Sequence, residues 1–320
     1  MASKSLLVTL LFTLISQILA ASRTTPPSGA IVVRAGTTTS GEFASLGAAI
    51  SSLPNDGSAR SIFIYPGTYA GQVDITRTGA LTIYGYTSDT TTYTGNQAIL
   101  TAAGNATTAG SDDASGTLRV HTNNFKMYNV NVKNTVGPGV QAIALSPDTL
   151  YANEGTQVYL KGYIEGAADF IFGREGSAYF GGNTIAVNGP GHITASGRES
   201  NDSGSYVFNQ NTIVLASDAA SGTSGNIFLG RPWADFAKVV FKNTVITAPM
   251  NKALWSEWST ATPNTDNILF GEYNTTGSGA SGATRPSFAT VLSATQAATY
   301  SISSAVGSGY TSWVDAAYIV

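Results

Sequence analysis

The chain has 320 residues, of which 11% are charged, with a net charge of −3 and no cysteine. The absence of cysteine excludes disulfides, thiolate catalysis and Cys-based zinc sites, and the mildly acidic balance gives no basic footprint for nucleic acid. Abundant Thr, Ser, Asn and Gly favour strands and turns over helices.

Residues 1–20 read as a secretory signal peptide. Lys4 supplies the positive start, residues 6–19 the apolar stretch, and Ala20 and Ala21 the small residues for cleavage. The apolar stretch is shorter than the ~20 residues a membrane-spanning helix needs, so no membrane association is expected after cleavage. Residues 21–29 (ASRTTPPSG) form a Pro-containing lead-in that is expected to be mobile. Residues 30–320 are expected to form a single domain, which this length permits.

Within that domain AIVV (30–33) predicts a first strand. SLGAAISSL (45–53) is the best helix candidate, with apolar residues at helical spacing and Pro54 as a stop. SIFIYPGTY (61–69) and LTIYGYT (81–87) are strand-rich. The middle of the chain then repeats itself: FGGNTI (from 180), FNQNTI (from 208) and VFKNTV (from 240) place Asn183, Asn211 and Asn243 at similar intervals, and YNVNV (from 128) is an earlier variant. Short apolar strands punctuated by Asn and Gly at such a period also occur in β-sandwiches. The recurrent Asn-Thr-apolar element favours an all-β solenoid, a parallel β-helix whose outward side chains line a groove suited to a linear polymer. Residues 276–283 read as a flexible loop, and residues 301–320 as a tail packing back across the solenoid. Asn105, Asn201 and Asn274 lie in Asn-X-Ser/Thr triplets, consistent with a glycosylated secreted protein.

The chemistry available is narrow. His121 and His192 are the only histidines, and there is no G-x-S-x-G elbow, so a Ser-His-Asp hydrolase of the usual kind is not expected and both histidines read as structural or exposed. No Gly-rich phosphate loop is present. What remains is carboxylate and amide chemistry. In GAADFIFG (166–173), Asp169 lies in an apolar run, where a charge is costly unless paired; Arg231 of LGRPW (229–233) is a plausible partner. Such a pair is either a structural ion pair or a nucleophile held ionised. Asp148 lies 21 residues before Asp169, close to one coil, so the two are either unrelated or a stacked pair dividing the roles of acid and nucleophile.

GAADFIFG and LGRPW, together with QAIAL (141–145) and DTLYANEG (148–155), in this order, closely resemble the pectin methylesterases. YIEGAADFIFG and WSEWSTATPNT (255–265) are most similar to the fungal branch. The resemblance extends over nearly all of the chain after the leader. It implies a secreted, right-handed parallel β-helix that removes methyl groups from esterified galacturonate in pectin, acting as a monomer without metal or organic cofactor. By motif it implies Asp169 as nucleophile, Asp148 as the acid that protonates methanol and later activates water, Gln141 as an oxyanion donor and Arg231 as the residue orienting the nucleophile. Phe170, Trp233 and Trp255 would line the sugar-binding groove, since aromatic faces suit sugar rings. The motif set does not fit polygalacturonases or pectate lyases.

One departure from the family pattern stands out. Gln141 and Asp148 are only seven residues apart, and Pro147 stands where the family has a second glutamine. About one coil, roughly 15 to 20 residues, is expected to be missing here. Seven residues span at most ~25 Å, so Gln141 and Asp148 cannot sit on neighbouring complete coils. The expectations are a lost oxyanion donor and an apolar interior exposed at the gap. A lost exon, a genuine variant that folds or works poorly, and a non-catalytic or impaired pectin-binding relative all fit such a junction.

Overall fold

The computed structural model of the protein describes residues 21–103, 112–135 and 149–320. The proposed leader, Asn105, Gln141, Pro147 and Asp148 lie outside the described residues. Strands recur in a fixed rotation among three sheets. The 11-stranded sheet holds, among others, Arg60–Ile64, Leu81–Gly85, Phe125–Tyr128, Thr156–Leu160, Ser177–Gly181, Tyr206–Asn209, Lys238–Lys242 and Leu269–Tyr273. A seven-stranded and a six-stranded sheet take the second and third strands of successive coils, and every pairing between the named strands is parallel. Stacking each coil on the last in this way makes a right-handed parallel β-helix, as expected.

The Asn-rich repeat marks the corner between the first two sheets. From Phe125–Tyr128 to Leu269–Tyr273, the residue just after each of these six first-sheet strands takes a left-handed conformation: Asn129, Lys161, Gly182, Gln210, Asn243 and Asn274 all have φ between 51° and 61°. Asn tolerates this region better than most residues. Beside the corner runs a buried amide ladder. Asn211 Oδ1 accepts from Asn183 N at 2.8 Å, Asn183 Oδ1 accepts from Gly162 N at 2.9 Å, and their Nδ2 groups donate to Phe180 O and Tyr159 O. The three repeats are not equivalent as their Asn residues suggest. Phe180, Phe208 and Phe241 are the residues in register. Asn243 therefore stands at the corner position of Gln210, and Thr244 takes the ladder position. The stacking of the rings, not the placing of Asn, sets the register.

Inside the coil Tyr159, Phe180, Phe208 and Phe241 stack face to face with centroids 5.0, 4.3 and 4.3 Å apart, and none is more than 1% exposed. At the start, the helix Leu46–Ser51 forms within the predicted segment, with Ser45 as N-cap accepting from Ala48 N. The lead-in is not free: Arg23 pairs its backbone with Thr87 in both directions, and its guanidinium donates to Tyr318 Oη at 2.7 Å. The tail folds back as expected, with Ile302, Val306, Val314 and Tyr318 buried against Tyr128, Val158 and Tyr179. The loop expected to be flexible at 276–283 is instead tied to the last coil, Gly279 N donating to Ile246 O and Ala280 and Ala283 packing on the core.

The coil that spans the Gln141–Asp148 junction keeps all three of its strands: Phe125–Tyr128, Val130–Asn134 and Leu150–Glu154. Leu150–Glu154 pairs with Leu118–His121 on one side and Ile171–Gly173 on the other. Among the described residues flanking the junction the expected exposure of apolar interior is not seen: Leu118, Leu150 and Ile171 form a continuous column with no accessible surface. A whole coil can be removed from such a stack because the strands above and below present the same edge to each other.

Replacing Phe208 by Ala should cost about 3–5 kcal/mol, since it leaves a cavity in a column that cannot collapse. The measurement is the urea midpoint, which should fall with little change in the slope of the transition.

Candidate functional site

Asp169 is set by the turn between Tyr163–Gly166 and Ile171–Gly173. It has φ of 52°, a conformation that Asp adopts more readily than most side chains and that is often retained at functional sites. The turn sends Asp169 to the outer face and Phe170 inward. The Phe170 ring lies over Gly166, where a Cβ would come within 2.5 Å of Phe170 Cβ and Cγ. Phe170 is fully buried in the core, so its expected place in the sugar groove is corrected: it anchors the turn from below.

Arg231 comes from Ile227–Pro232, two coils further on. Register carries it to the same face, through Tyr151↔Phe172, Phe172↔Ala195 and Ala195↔Arg231. The small Ala195 lets the guanidinium reach back across one strand. Arg231 Nη2 donates to Asp169 Oδ2 at 2.5 Å, and Nε lies 3.1 Å from both carboxylate oxygens. Oδ2 thus carries two donors and Oδ1 one shared donor. Gly230 makes the approach possible, because a Cβ there would meet Thr194 Oγ1 at 2.1 Å. Burial pushes the Asp169 carboxyl above its ordinary value, and the Arg231 guanidinium works against that shift. A bidentate arginine this close holds the group as a carboxylate with little water around it.

Of the expected aromatic lining, Phe170 and Trp255 both lie in the interior and only Trp233 faces outward. Trp233 is half-buried against Phe172, and the Arg174 guanidinium lies 4.1 Å from its ring centre. Trp255 does not reach the groove. It is 1% exposed, stacks on Phe270 at 4.3 Å and donates from Nε1 to Glu272 Oε1, continuing the interior aromatic column. Its neighbour Trp258, half-buried, stands on the outer face instead, 4.1 Å from the Arg231 guanidinium, and packs with Tyr151, Phe172, Ala195 and Trp233. The W-x-x-W spacing showed two tryptophans but not which one turned outward.

His192, which the sequence marked as structural or exposed, lies beside Asp169. It stacks on Phe228 at 4.9 Å, its Nε2 lies 2.7 Å from Ser256 Oγ, and its Nδ1 lies 3.8 Å from Asp169 Oδ1. Burial, aided by the Arg231 charge, lowers its pKa from 6.5 to about 3, so the ring is neutral. The signal was positional: the Ile171↔Thr194 pairing continues outward to set residue 192 beside residue 169. Asp169, Arg231 and Trp233 are thus brought together, joined by His192, Ser256 and Trp258. His121 lies elsewhere on the sheet, near Asp74 and Glu154.

Comparison with known proteins identifies relatives of this arrangement. A pectinesterase family profile matches residues 146–309. The chain is 42% identical to a pectinesterase of Aspergillus aculeatus, covering 98% of this chain and 99% of that protein, and 41% identical to one of Aspergillus niger with 99% of both covered. The 339 aligned positions of the first exceed this chain's 320 residues by 19, so at least that many have no counterpart here. The crystal structure of the pectin methylesterase from Aspergillus niger superposes with a TM-score of 0.76 at 36% identity, covering 93% of this chain and all of that one. Pectin methylesterase from carrot follows at 0.71 and 25% identity, covering 94% and 98%.

A neutral buried imidazole has a sign-definite consequence. Above pH 6.5 it is neutral folded or unfolded; between 6.5 and about 3 only the unfolded chain takes up the proton, so stability is lost as pH falls through that window. Nitrogen NMR of His192 should therefore show no titration from pH 8 to about 4.5, and His192→Gln should flatten the acid limb of the stability curve.

Proposed function

Given that this chain belongs to the pectinesterase family, and is thus a carboxylic ester hydrolase that demethylates pectin, we propose that Asp169 is the nucleophile of the reaction. The observation that carries the assignment is the Asp169–Arg231 pair: a carboxylate on the outer face of the solenoid, held at two points and flanked by Trp233 and Trp258. Oδ1 is the attacking oxygen, since Oδ2 is occupied by two donors. Attack on the ester carbonyl gives a tetrahedral intermediate, whose collapse expels methanol and leaves an acyl group on Asp169. Water then adds to the acyl carbon, and the bond to Oδ1 breaks to give galacturonate and the original carboxylate.

By motif, Asp148 gives the proton to methanol and later takes one from water, and Gln141 donates to the oxyanion. Arg231 keeps Asp169 ionised and aligned, which desolvation alone would oppose. Trp233 and Trp258 offer flat apolar faces to the sugar rings, and this assignment replaces Phe170 and Trp255 as groove residues. The substrate is methyl-esterified homogalacturonan. Residues 1–20 act as a cleaved leader, residues 30–320 work as one monomeric unit outside the cell, and the exposed Asn201 and Asn274 are glycan acceptors. Among the described residues no helix is long and apolar enough to cross a membrane.

Methanol release from highly methylated pectin tests the proposal. Asp169→Asn should lower kcat by roughly 10⁴ or more at nearly unchanged KM, because it removes a group needed only for bond formation. Wild-type turnover in that variant would refute the assignment, as would a folded wild-type protein that binds pectin and releases no methanol. Arg231→Lys keeps the charge but not the fork, and should lower kcat by on the order of 10².

A further inference from the structure

We propose that His192 is a positioning residue for Asp169, with its tautomer set by Ser256, and that it assists the return of charge to Asp169 when the acyl-enzyme is hydrolysed. The inference rests on Asp169 being the nucleophile. Three observations lead to it. His192 Nε2 lies 2.7 Å from Ser256 Oγ, its Nδ1 faces Asp169 Oδ1 at 3.8 Å, and the ring is clamped over Phe228. Ser256 is itself fixed, its N donating to Gly230 O at 3.2 Å.

The proton positions follow from the geometry. Ser256 Oγ has one hydrogen and two acceptors within reach, Glu257 O at 3.0 Å and His192 Nε2 at 2.7 Å. If the hydrogen went to Glu257, Nε2 would carry the imidazole proton and the Nδ1 lone pair would face a carboxylate oxygen. If it goes to Nε2, the proton is on Nδ1 and points at Asp169. The charged groups facing the ring are Asp169 and Arg231. The carboxylate favours the second arrangement by simple electrostatics, and the shorter contact agrees with it. A separation of 3.8 Å is beyond a hydrogen bond, so in the resting site this is an oriented dipole beside Oδ1.

Its place matters because Arg231 and His192 serve different oxygens. Arg231 holds Oδ2 most tightly; His192 stands beside Oδ1, the oxygen that bonds to the acyl carbon. During deacylation the water oxygen bonds to that carbon, the water proton passes to Asp148, and the electron pair of the breaking carbon–Oδ1 bond returns to Oδ1. A neutral N–H at that oxygen stabilises the departing carboxylate without an ionisable charge of its own. The Ser256–His192–Asp169 series has the order of a serine-hydrolase triad. Asp169 is committed to Arg231, however, and its distance from Nδ1 is too long for the orienting bond of a triad.

The test combines kinetics with one measurement on the unaltered protein. His192→Phe keeps a flat ring for the stack and removes both nitrogens. It should lower kcat about tenfold, roughly the worth of one hydrogen bond gained in the transition state. KM should change less than about twofold, and a burst of methanol equal to the enzyme concentration should precede a slower steady rate. Ser256→Ala should give the same pattern. His192→Asn, whose amide nitrogen takes the Nδ1 position, should recover kcat to within about threefold of wild type. Long-range proton–nitrogen NMR of the wild-type protein should show the Nδ1–H tautomer, which settles the matter even if a variant fails to fold. An Nε2–H tautomer, or His192→Phe with wild-type kcat and no burst while Asp169→Asn is inactive, overturns this proposal alone. Active Asp169→Asn, or complete loss of turnover in Ser256→Ala with Asp169→Asn still active, overturns the nucleophile assignment along with it.

Discussion

Parallel strands stacked coil upon coil must keep one register for the length of the solenoid, because a slip of one residue would turn every inward side chain outward. The aromatic column of Tyr159, Phe180, Phe208 and Phe241 imposes that register. Rings at 4.3–5.0 Å leave no room for a shifted neighbour. The left-handed corners and the Asn183–Asn211 amide ladder follow from it. The order of causes is visible where they disagree: Asn243 falls at the corner and Thr244 at the register position of the ladder, while Phe241 stays in the stack.

The site is a product of the same constraint. Asp169, His192 and Arg231 come from three consecutive strands of the six-stranded sheet or the turns entering them, and no two are close in sequence. They meet because Phe172, Ala195 and Arg231 fall in one outward column. Small residues make the approach possible: Gly230 admits the neighbouring strand, Ala195 clears the path of the guanidinium, and Gly166 gives Phe170 a seat below the turn. An arginine withdrawn from this pair would leave a buried charge without a partner, a loss of ~3–5 kcal/mol in comparable cases. The pair is therefore structural whatever else it does, and a structural pair and the proposed nucleophile are not exclusive readings of Asp169.

On either side of the Gln141–Asp148 junction, which itself lies outside the described residues, the strands stack without a break. Each strand edge in the stack is equivalent to the next, so Leu150–Glu154 can lie directly between Leu118–His121 and Ile171–Gly173. Among the described residues the interior column of Leu118, Leu150 and Ile171 stays closed. What the loss of a repeat would change is the set of outward side chains. Stability and chemistry are thus separated: the first depends on the inward column, the second on which coils are present.

The sequence by itself determined the repeat, the all-β solenoid, the helix before Pro54, and the two motifs that carry Asp169 and Arg231. These are legible because Asn-Thr-apolar elements, apolar residues at helical spacing before a proline, and an isolated carboxylate in an apolar run have local physical causes. Side-chain direction was decided only by the tertiary structure. Trp255 and Trp258, three residues apart, face opposite ways because Trp255 is drawn into the stack on Phe270 and Trp258 is not. Phe170 turns inward because Asp169 takes a left-handed conformation just before it. His192 joins the site through a pairing 23 residues away in the chain, which no local pattern encodes. Register between coils is a property of the whole stack, and it alone placed these side chains.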